Sequence, residues 1–480
     1  MKKYLLILIL ICSINPNLFA QHRDYHYMPE TDSLVQEKLE SWQDLKFGLL
    51  LTWSPCSQWG VVESWSICAE DEPWCQRKTD NYVQYKKDYE NLKNTFNPDK
   101  FDPAQWAKAA KSAGIKYVVG MAKHHDGFCM FDTKTTNHKI TDSTCPFSRN
   151  LKSNILKEIL DAFRAEGIWA GIYFSKPDWH TEYYWWPYFA TPDRHVNYDP
   201  DKYPERWRQF KDFTYNQIEE LMSYYGKIDI LWLDGAWVRP IENMPEEYVA
   251  WAKKKNWNQN IDMGRIVEMA RKHQPGLIVV DRWVSGKFEN YLTPENRVPE
   301  KMIPFPWESC ITSSGSWSYN PESKYKSAHQ LLQILLSVVA KGGNLLLNIG
   351  PTAEGTWEEN AYDRLEQIGN WMKINSEAIY ATQPVFPYQD GNVFLTQKKS
   401  RDTVYAVYLG DSDMTNPPAE IWLNSLQPVE NSIVTMLGTE GVLKWENVGK
   451  GFLVHVPESI QKNPPCQYAW TIKFEHTIDH

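Results

Sequence analysis

Between about residues 44 and 350 the chain alternates short apolar runs of β type with amphipathic helical ones, a pattern that suits a parallel sheet wrapped by helices. The runs 47–52, 117–121, 169–174, 228–233, 277–280, 307–311 and 345–349 read as strands. Helix signals lie between them. Asp102 followed by Pro103 puts a cap and a first-turn proline ahead of Trp106, Ala109 and Ala110, and Gly114 closes that helix. Ile155, Ile159, Leu160 and Phe163 share one apolar face, stopped by Gly167. Seven strands, with an eighth lost in the loops, predict an α/β fold. It is a (β/α)8-like barrel of the TIM type over residues 21–383, with a doubly wound open sheet as runner-up. Both folds put their sites at the C-terminal strand ends, so chemistry is sought in a few turns.

After a helix at about 362–374 the pattern changes. The runs 393–396, 403–408, 420–423, 451–456 and 468–474 read as strands with turns and no helix between them, a C-terminal antiparallel β-sandwich over residues 384–480. Two domains suit the 480-residue length. At the other end, Lys2 and Lys3 precede the apolar run 5–11 and the small-residue ending 18–20, the signature of a signal peptide over residues 1–20. That apolar run is too short to span a bilayer, and nothing later reaches eighteen consecutive apolar residues. The expectation is export, to a bacterial periplasm or the medium, with no membrane span. Cys12 follows Ile11, where a lipoprotein signal wants a small residue, so no lipid anchor is expected.

A net charge of -9 with no basic run excludes nucleic acid as a partner. The seven cysteines beyond the leader show no zinc-ligand spacing, and their odd number leaves at least one thiol free. Cys56, Cys68 and Cys75 lie close enough together for one disulfide in an oxidising compartment. Aromatic residues make up 14% of the chain, including 23 Trp and 26 Tyr, which serves either a large aromatic core or flat faces for sugar rings.

Four places carry chemistry. The buried-type run 228–233 ends in Asp234 and Gly235, where a barrel displays its catalytic groups; capping of the next turn is the alternative. Trp232 shares the face of Asp234, since side chains two apart on a strand do, and can wall a pocket. His124 and His125 follow the second strand. On extended backbone they face opposite ways, which makes a poor chelating pair and suits hydrogen bonding to hydroxyls, one of them buttressing the strand. Arg282, at the end of the fifth strand, can hold a carboxylate ionised. Glycoside hydrolysis by the usual route needs a second carboxyl group. Glu289, Glu295 and Glu308 are the candidates, and the residues alone do not choose among them: Glu295 lies in a loop free to reach over a leaving group, whereas Glu308 follows Trp307 in a strand.

Taken together, Trp42 with Lys46, Phe47 and Gly48, the run 122–128 with Asp132, the runs 171–175 and 231–235, the trio Asp281, Arg282 and Trp283, and the run 342–351 resemble the α-L-fucosidase family, glycoside hydrolase family 29. The resemblance covers nearly the whole mature chain. It implies a (β/α)8-like catalytic barrel, a C-terminal β-sandwich, and release of terminal α-linked L-fucose from an oligosaccharide or glycoconjugate with retention of configuration. No metal and no cofactor are implied. Position by position it implies Asp234 as nucleophile, Trp232 as a pocket wall, His124 and His125 as a sugar-binding pair and Arg282 beside the nucleophile. It favours Glu295 as acid/base, with Glu308 second, and Tyr173 as a substrate contact, with Phe174 its rival for the inward position. One departure stands out. Members generally read His-Trp-Gly where this chain reads Thr52, Trp53 and Ser54, and their glutamate-tryptophan pair is here Glu63, Ser64 and Trp65. Glu63 and Trp65 are still expected to bind substrate. The lost imidazole bears on which sugar is read more than on the reaction. This leaves two alternatives, a hydrolase for a related sugar of the L-galactose type and a carbohydrate-binding relative without turnover; retention of both Asp234 and Glu295 argues against the second. The oligomeric state is left open.

Overall fold

Seven parallel strands organise the larger part of the molecule: β1 (Phe47–Leu51), β2 (Tyr117–Lys123), β3 (Trp169–Ser175), β4 (Ile230–Asp234), β5 (Ile278–Asp281), β6 (Glu308–Thr312) and β7 (Asn344–Ile349). The computed structural model describes residues 27–70, 75, 77, 81–244 and 258–475; the expected leader lies outside them. The strands pair in the order β5-β4-β3-β2-β1-β7-β6, and each falls within a few residues of its expected run. Side chains alternate across the curled sheet. On β4, Ile230 and Trp232 face an interior shared with Tyr117, Tyr173 and Cys310, while Leu231 and Leu233 pack outward.

The eighth position is a seam. Segment 289–295 joins the edges β5 and β6 through single bridges, Val280 to Glu289, Leu292 to Trp307 and Glu295 to Cys310, with no continuous ladder. Pro294 has no N–H to contribute, which breaks the ladder one residue before Glu295. Inside the seam Tyr291 stacks on Trp42 with centroids 4.0 Å apart, sealing the barrel floor. The outer helices obey their sequence signals. Asp102 accepts from the N–H groups of Ala104 and Gln105 at the head of Pro103–Ala113, and Gly114 ends that helix at φ 90°.

The C-terminal part adds β8 (Thr382–Asp390), β9 (Val393–Lys398), β10 (Thr403–Leu409), β11 (Glu420–Leu423), β12 (Thr435–Met436), β13 (Lys444–Val448), β14 (Gly451–His455) and β15 (Ala469–Glu475). They form a five-stranded sheet, β12-β15-β10-β9-β8, and a three-stranded one, β11-β14-β13. Leu395, Val404 and Ile472 of the first meet Ile421, Phe452 and Val454 of the second in one core, as a sandwich requires. The opposite face of the larger sheet packs on the barrel, where Phe394, Tyr405 and Val407 join the core of the outer helices. Two expectations are corrected. A one-turn helix, Glu458–Lys462, lies between β14 and β15, started by Pro457 at its cap. Cys56 and Cys68 are buried free thiols rather than partners in a disulfide; Cys56 takes a hydrogen bond from the Ser54 hydroxyl, and Cys68 lies against Glu70. Among the described residues no helix is long and apolar enough to cross a membrane.

Candidate active site

The C-terminal end of β4 is pinned from two sides. Gly235 follows Asp234 at φ 91°, and a Cβ there would lie 2.2 Å from Pro177 Cδ, so only glycine lets the turn after β3 approach this closely. From that turn the Lys176 N–H donates to the Asp234 carbonyl at 2.9 Å, while the Lys176 ammonium reaches Asp281 Oδ1 at 2.5 Å, both groups being buried. The next residue, Arg282, donates its own N–H to the Leu233 carbonyl at 3.1 Å. A second buried pair, Lys123 with Asp178 at 2.7 Å, ties the end of β2 to the same turn. Buried ion pairs add little net stability, but they fix register and orientation.

These constraints set the Asp234 carboxylate between a hydroxyl and a guanidinium. Tyr173 donates to Oδ2 at 2.7 Å and Arg282 Nη1 to Oδ1 at 3.1 Å. Burial by itself would raise the Asp234 pKa. The Arg282 charge, helped by the hydrogen bond from Tyr173, overrides it and holds the carboxyl well below the usual range. The other terminal nitrogen of Arg282, Nη2, donates to Glu295 on the seam. One guanidinium thus holds both carboxylates side by side. The Tyr173 ring faces the interior, and Phe174 packs in the outer layer with Lys123 above it.

The two histidines do not face opposite ways. Strand β2 has already slipped register between Met121 and Lys123, and the chain turns through Gly127 at φ 74°, so both rings enter the interior with centroids 4.2 Å apart. Burial drives the pKa of His124 down to about 4 and holds that of His125 well below the usual imidazole range, so both are neutral. Ser175 gives its single hydroxyl proton to the Pro177 carbonyl at 2.8 Å, so at 2.6 Å it accepts from His125 Nδ1. That leaves His125 Nε2 as an acceptor facing the cavity. His124 Nδ1 lies 2.6 Å from Ser64 Oγ, which also takes the Asp126 N–H. Ligand atoms of His124, His125 and Asp234 lie within 4.8 Å of one another, close enough for a metal ion. The Arg282 guanidinium on the same carboxylate makes the spot unfavourable for a cation.

Around these groups is a cavity of about 570 Å³, the size of a sugar site. Glu63, Trp65, His124, His125, Tyr173, Trp232, Asp234, Arg282 and Glu295 all line it. So do Arg194, His195 and Trp237, which the sequence reading missed; they come from the loops after β3 and β4, and only the aromatic density of 183–198 hinted at that region. Arg194 lies over the Trp65 and Trp237 rings and pairs with Glu70 at 2.7 Å. Part of the tryptophan wealth is structural: Trp42, Trp106, Trp307, Trp371 and Trp470 are buried elsewhere. At the departure, the Thr52 hydroxyl donates to Asn348 Oδ1 on the neighbouring strand at 2.6 Å. Glu63 is buried, which raises its pKa to about 7, and its Oε2 has no protein partner among the described residues. A sugar hydroxyl would satisfy it.

Glu308 is elsewhere. It sits fully buried inside the barrel beneath the cavity, accepting from Tyr117 at 2.6 Å and Trp232 Nε1 at 3.2 Å. Burial raises its pKa from 4.5 to about 7. A carboxyl raised on folding binds its proton more tightly in the folded state, so its stabilising contribution is complete below the unfolded value and is lost as pH rises through the folded one. Glu308 should therefore contribute a decline in melting temperature between pH 4.5 and about 7, and in Glu308→Gln the profile over that range should fall less, or rise more, than in the wild type. An unaltered slope in thermal scans would show that Glu308 does not titrate there.

Two carboxyl groups sharing one arginine beneath a sugar-sized, aromatic-walled cavity meet the needs of glycosidic bond cleavage, and fold and site place the chain among the glycosidases. Residues 16–377 match the family model of α-L-fucosidase and residues 386–475 that of the α-L-fucosidase C-terminal domain, and the chain belongs to the α-L-fucosidase family. It is 29% identical to an α-L-fucosidase of Branchiostoma floridae, covering 94% of this chain and 96% of that one. With the human plasma α-L-fucosidase it shares 28% identity over 95% and 94% of the two chains. Among solved structures, α-L-fucosidase isoenzyme 1 from Paenibacillus thiaminolyticus superposes with a TM-score of 0.73 at 27% identity, covering 93% of this chain and all of that one. The Thermotoga maritima α-fucosidase in complex with fucose gives 0.69 at 26% identity, over 94% and 100% of the chains.

Proposed function

We propose that the chain is an exo-acting, retaining α-L-fucosidase in which Asp234 is the nucleophile and Glu295 the acid/base. The observation that carries this is the Arg282 bridge, which keeps Asp234 ionised and holds Glu295 beside it. In a retaining pair the carboxyl groups stand about 5–5.5 Å apart, a closeness that two carboxylates on one guanidinium favour. In the first half-reaction an Asp234 oxygen attacks the anomeric carbon while Glu295 gives its proton to the glycosidic oxygen, releasing the aglycone as an alcohol. In the second, Glu295 takes a proton from water, whose oxygen displaces the Asp234 ester and restores the original configuration. Tyr173 and Arg282 orient the attacking carboxylate. His124, His125, Glu63, Trp65 and Trp232 read the sugar. Glu308, sealed under the floor, has no path to a leaving group, which supports Glu295 over it.

The Thermotoga maritima relative was solved with fucose and with a mechanism-based inhibitor, which supports the same sugar here over an L-galactose type. Residues 1–20 are a signal peptide in this reading and the enzyme is exported, to a periplasm or the medium, where fucosylated oligosaccharides or glycoconjugates are its substrates. Its domains divide near 383/384. The test is a panel of nitrophenyl glycosides. The α-L-fucoside should be cleaved with kcat/KM at least about tenfold above the α-L-galactoside, the scale set by one mismatched group in a pocket. Faster cleavage of the galactoside would change the sugar, and binding of L-fucose without turnover would make the chain a lectin-like relative.

A further inference from the structure

We infer that Trp283 is the platform on which the leaving-group sugar stacks during cleavage, and so a determinant of which fucosylated glycans are accepted. This rests on the fucosidase reading and goes beyond it to the far side of the scissile bond. Trp283 has φ 58°, in the left-handed region that bulky residues rarely enter. Such backbone persists only where the surroundings impose it, and it gathers at ligand sites. Here the surroundings are explicit. The Trp283 N–H donates to Glu289 Oε1 at 2.8 Å, and the indole N–H donates to the Thr293 carbonyl at 3.0 Å. The ring is thereby anchored to the seam two residues before Glu295. The Arg282 guanidinium carbon lies 4.1 Å from the ring centroid, backing it with the same arginine that holds both carboxylates.

Although it lines the cavity with Asp234 and Glu295, Trp283 remains 42% exposed, whereas Trp232 at the floor is 2% exposed. The exposed ring therefore belongs to the mouth. An acid/base must come within hydrogen-bond reach of the glycosidic oxygen, so the departing sugar lies beside Glu295 and hence beside this ring. A hexopyranose with an apolar C–H face fits such a platform.

The test compares two substrates of the wild-type enzyme and its variants: a fucosylated disaccharide, and α-L-fucosyl fluoride, whose leaving group is a single atom. Trp283→Gly accepts the left-handed backbone without strain and removes the ring; Trp283→Phe keeps a ring but loses the indole N–H. The measured quantity is the ratio of kcat/KM for the disaccharide to that for the fluoride. It should fall at least about tenfold in Trp283→Gly, the scale of a lost aromatic contact, and stay within about threefold of wild type in Trp283→Phe. A ratio unchanged in Trp283→Gly would overturn the proposal, because both substrates would then feel the ring equally. Failure of the wild type to hydrolyse the fluoride would instead strike the fucosidase reading beneath it.

Discussion

Asp234→Asn should give a folded protein whose turnover of an aryl α-L-fucoside is lowered by at least about 10⁴-fold, the scale seen when a covalent nucleophile is removed. The amide matches the carboxylate in volume and its oxygen still accepts from Tyr173, so packing around 2.7 Å contacts is preserved. What disappears is the negative charge that Arg282 stabilises, and with it the nucleophilicity of the oxygen that attacks carbon. Arg282 keeps Glu295 as a partner, so no unpaired buried cation is left to unfold the site. Circular dichroism and thermal scans should resemble wild type, while stopped assays show only residual product. Near-normal turnover in the purified variant would refute the assignment of Asp234.

The second large effect separates the two steps of a retaining cycle. Glu295→Ala should slow cleavage of a natural fucosyl oligosaccharide by about 10²–10⁴-fold, the usual worth of a general acid. An activated aryl fucoside should lose far less in its first step, because its leaving group departs without a proton. The glycosyl ester on Asp234 then waits for a base that is missing. Azide needs no base and should restore turnover on the aryl substrate, giving a fucosyl azide of retained configuration. In Asp234→Ala azide takes the place of the missing carboxylate, and the product should be the inverted azide. Azide rescue with retention in Glu308→Ala but not in Glu295→Ala would move the acid/base role to Glu308 and leave the family membership intact.

Much of this was legible in the sequence because it is local. Strands such as β3 and β4 are short, uniformly apolar runs whose burial follows from composition, and Asp234 is found by its place at the end of one. The cap at Asp102 and the stop at Gly114 need only a few neighbouring residues. What escaped depends on contacts far apart in the chain. Adjacent His124 and His125 were misjudged because the strand slips and ends before them, which the apolar pattern does not record. Arg194 and His195 reach the cavity from a long loop whose path is set by its packing, including the Trp185 N–H on the His195 carbonyl. The choice between Glu295 and Glu308 turns on burial. Both lie on the β5–β6 connection or its end, and only the closed interior shows that one is sealed against Tyr117 and Trp232.

The seam carries a consequence for how this catalyst can be altered. Asp234 lies on a strand in register with a neighbour on each side, so a single residue inserted ahead of it in β4 would turn Asp234 and the side chains shifted with it to the wrong face. Segment 289–295 obeys no such bookkeeping, since its three isolated bridges leave the seven-stranded ladder whole if its length changes. With the proposed roles, the half of the chemistry that handles the departing alcohol is therefore modular and the half that holds the fucosyl unit is not. Exchanging residues 283–306 between members of the family is accordingly the economical route to new glycan preferences: it replaces Trp283 and the proposed proton donor Glu295 together and leaves the framework of Asp234 untouched.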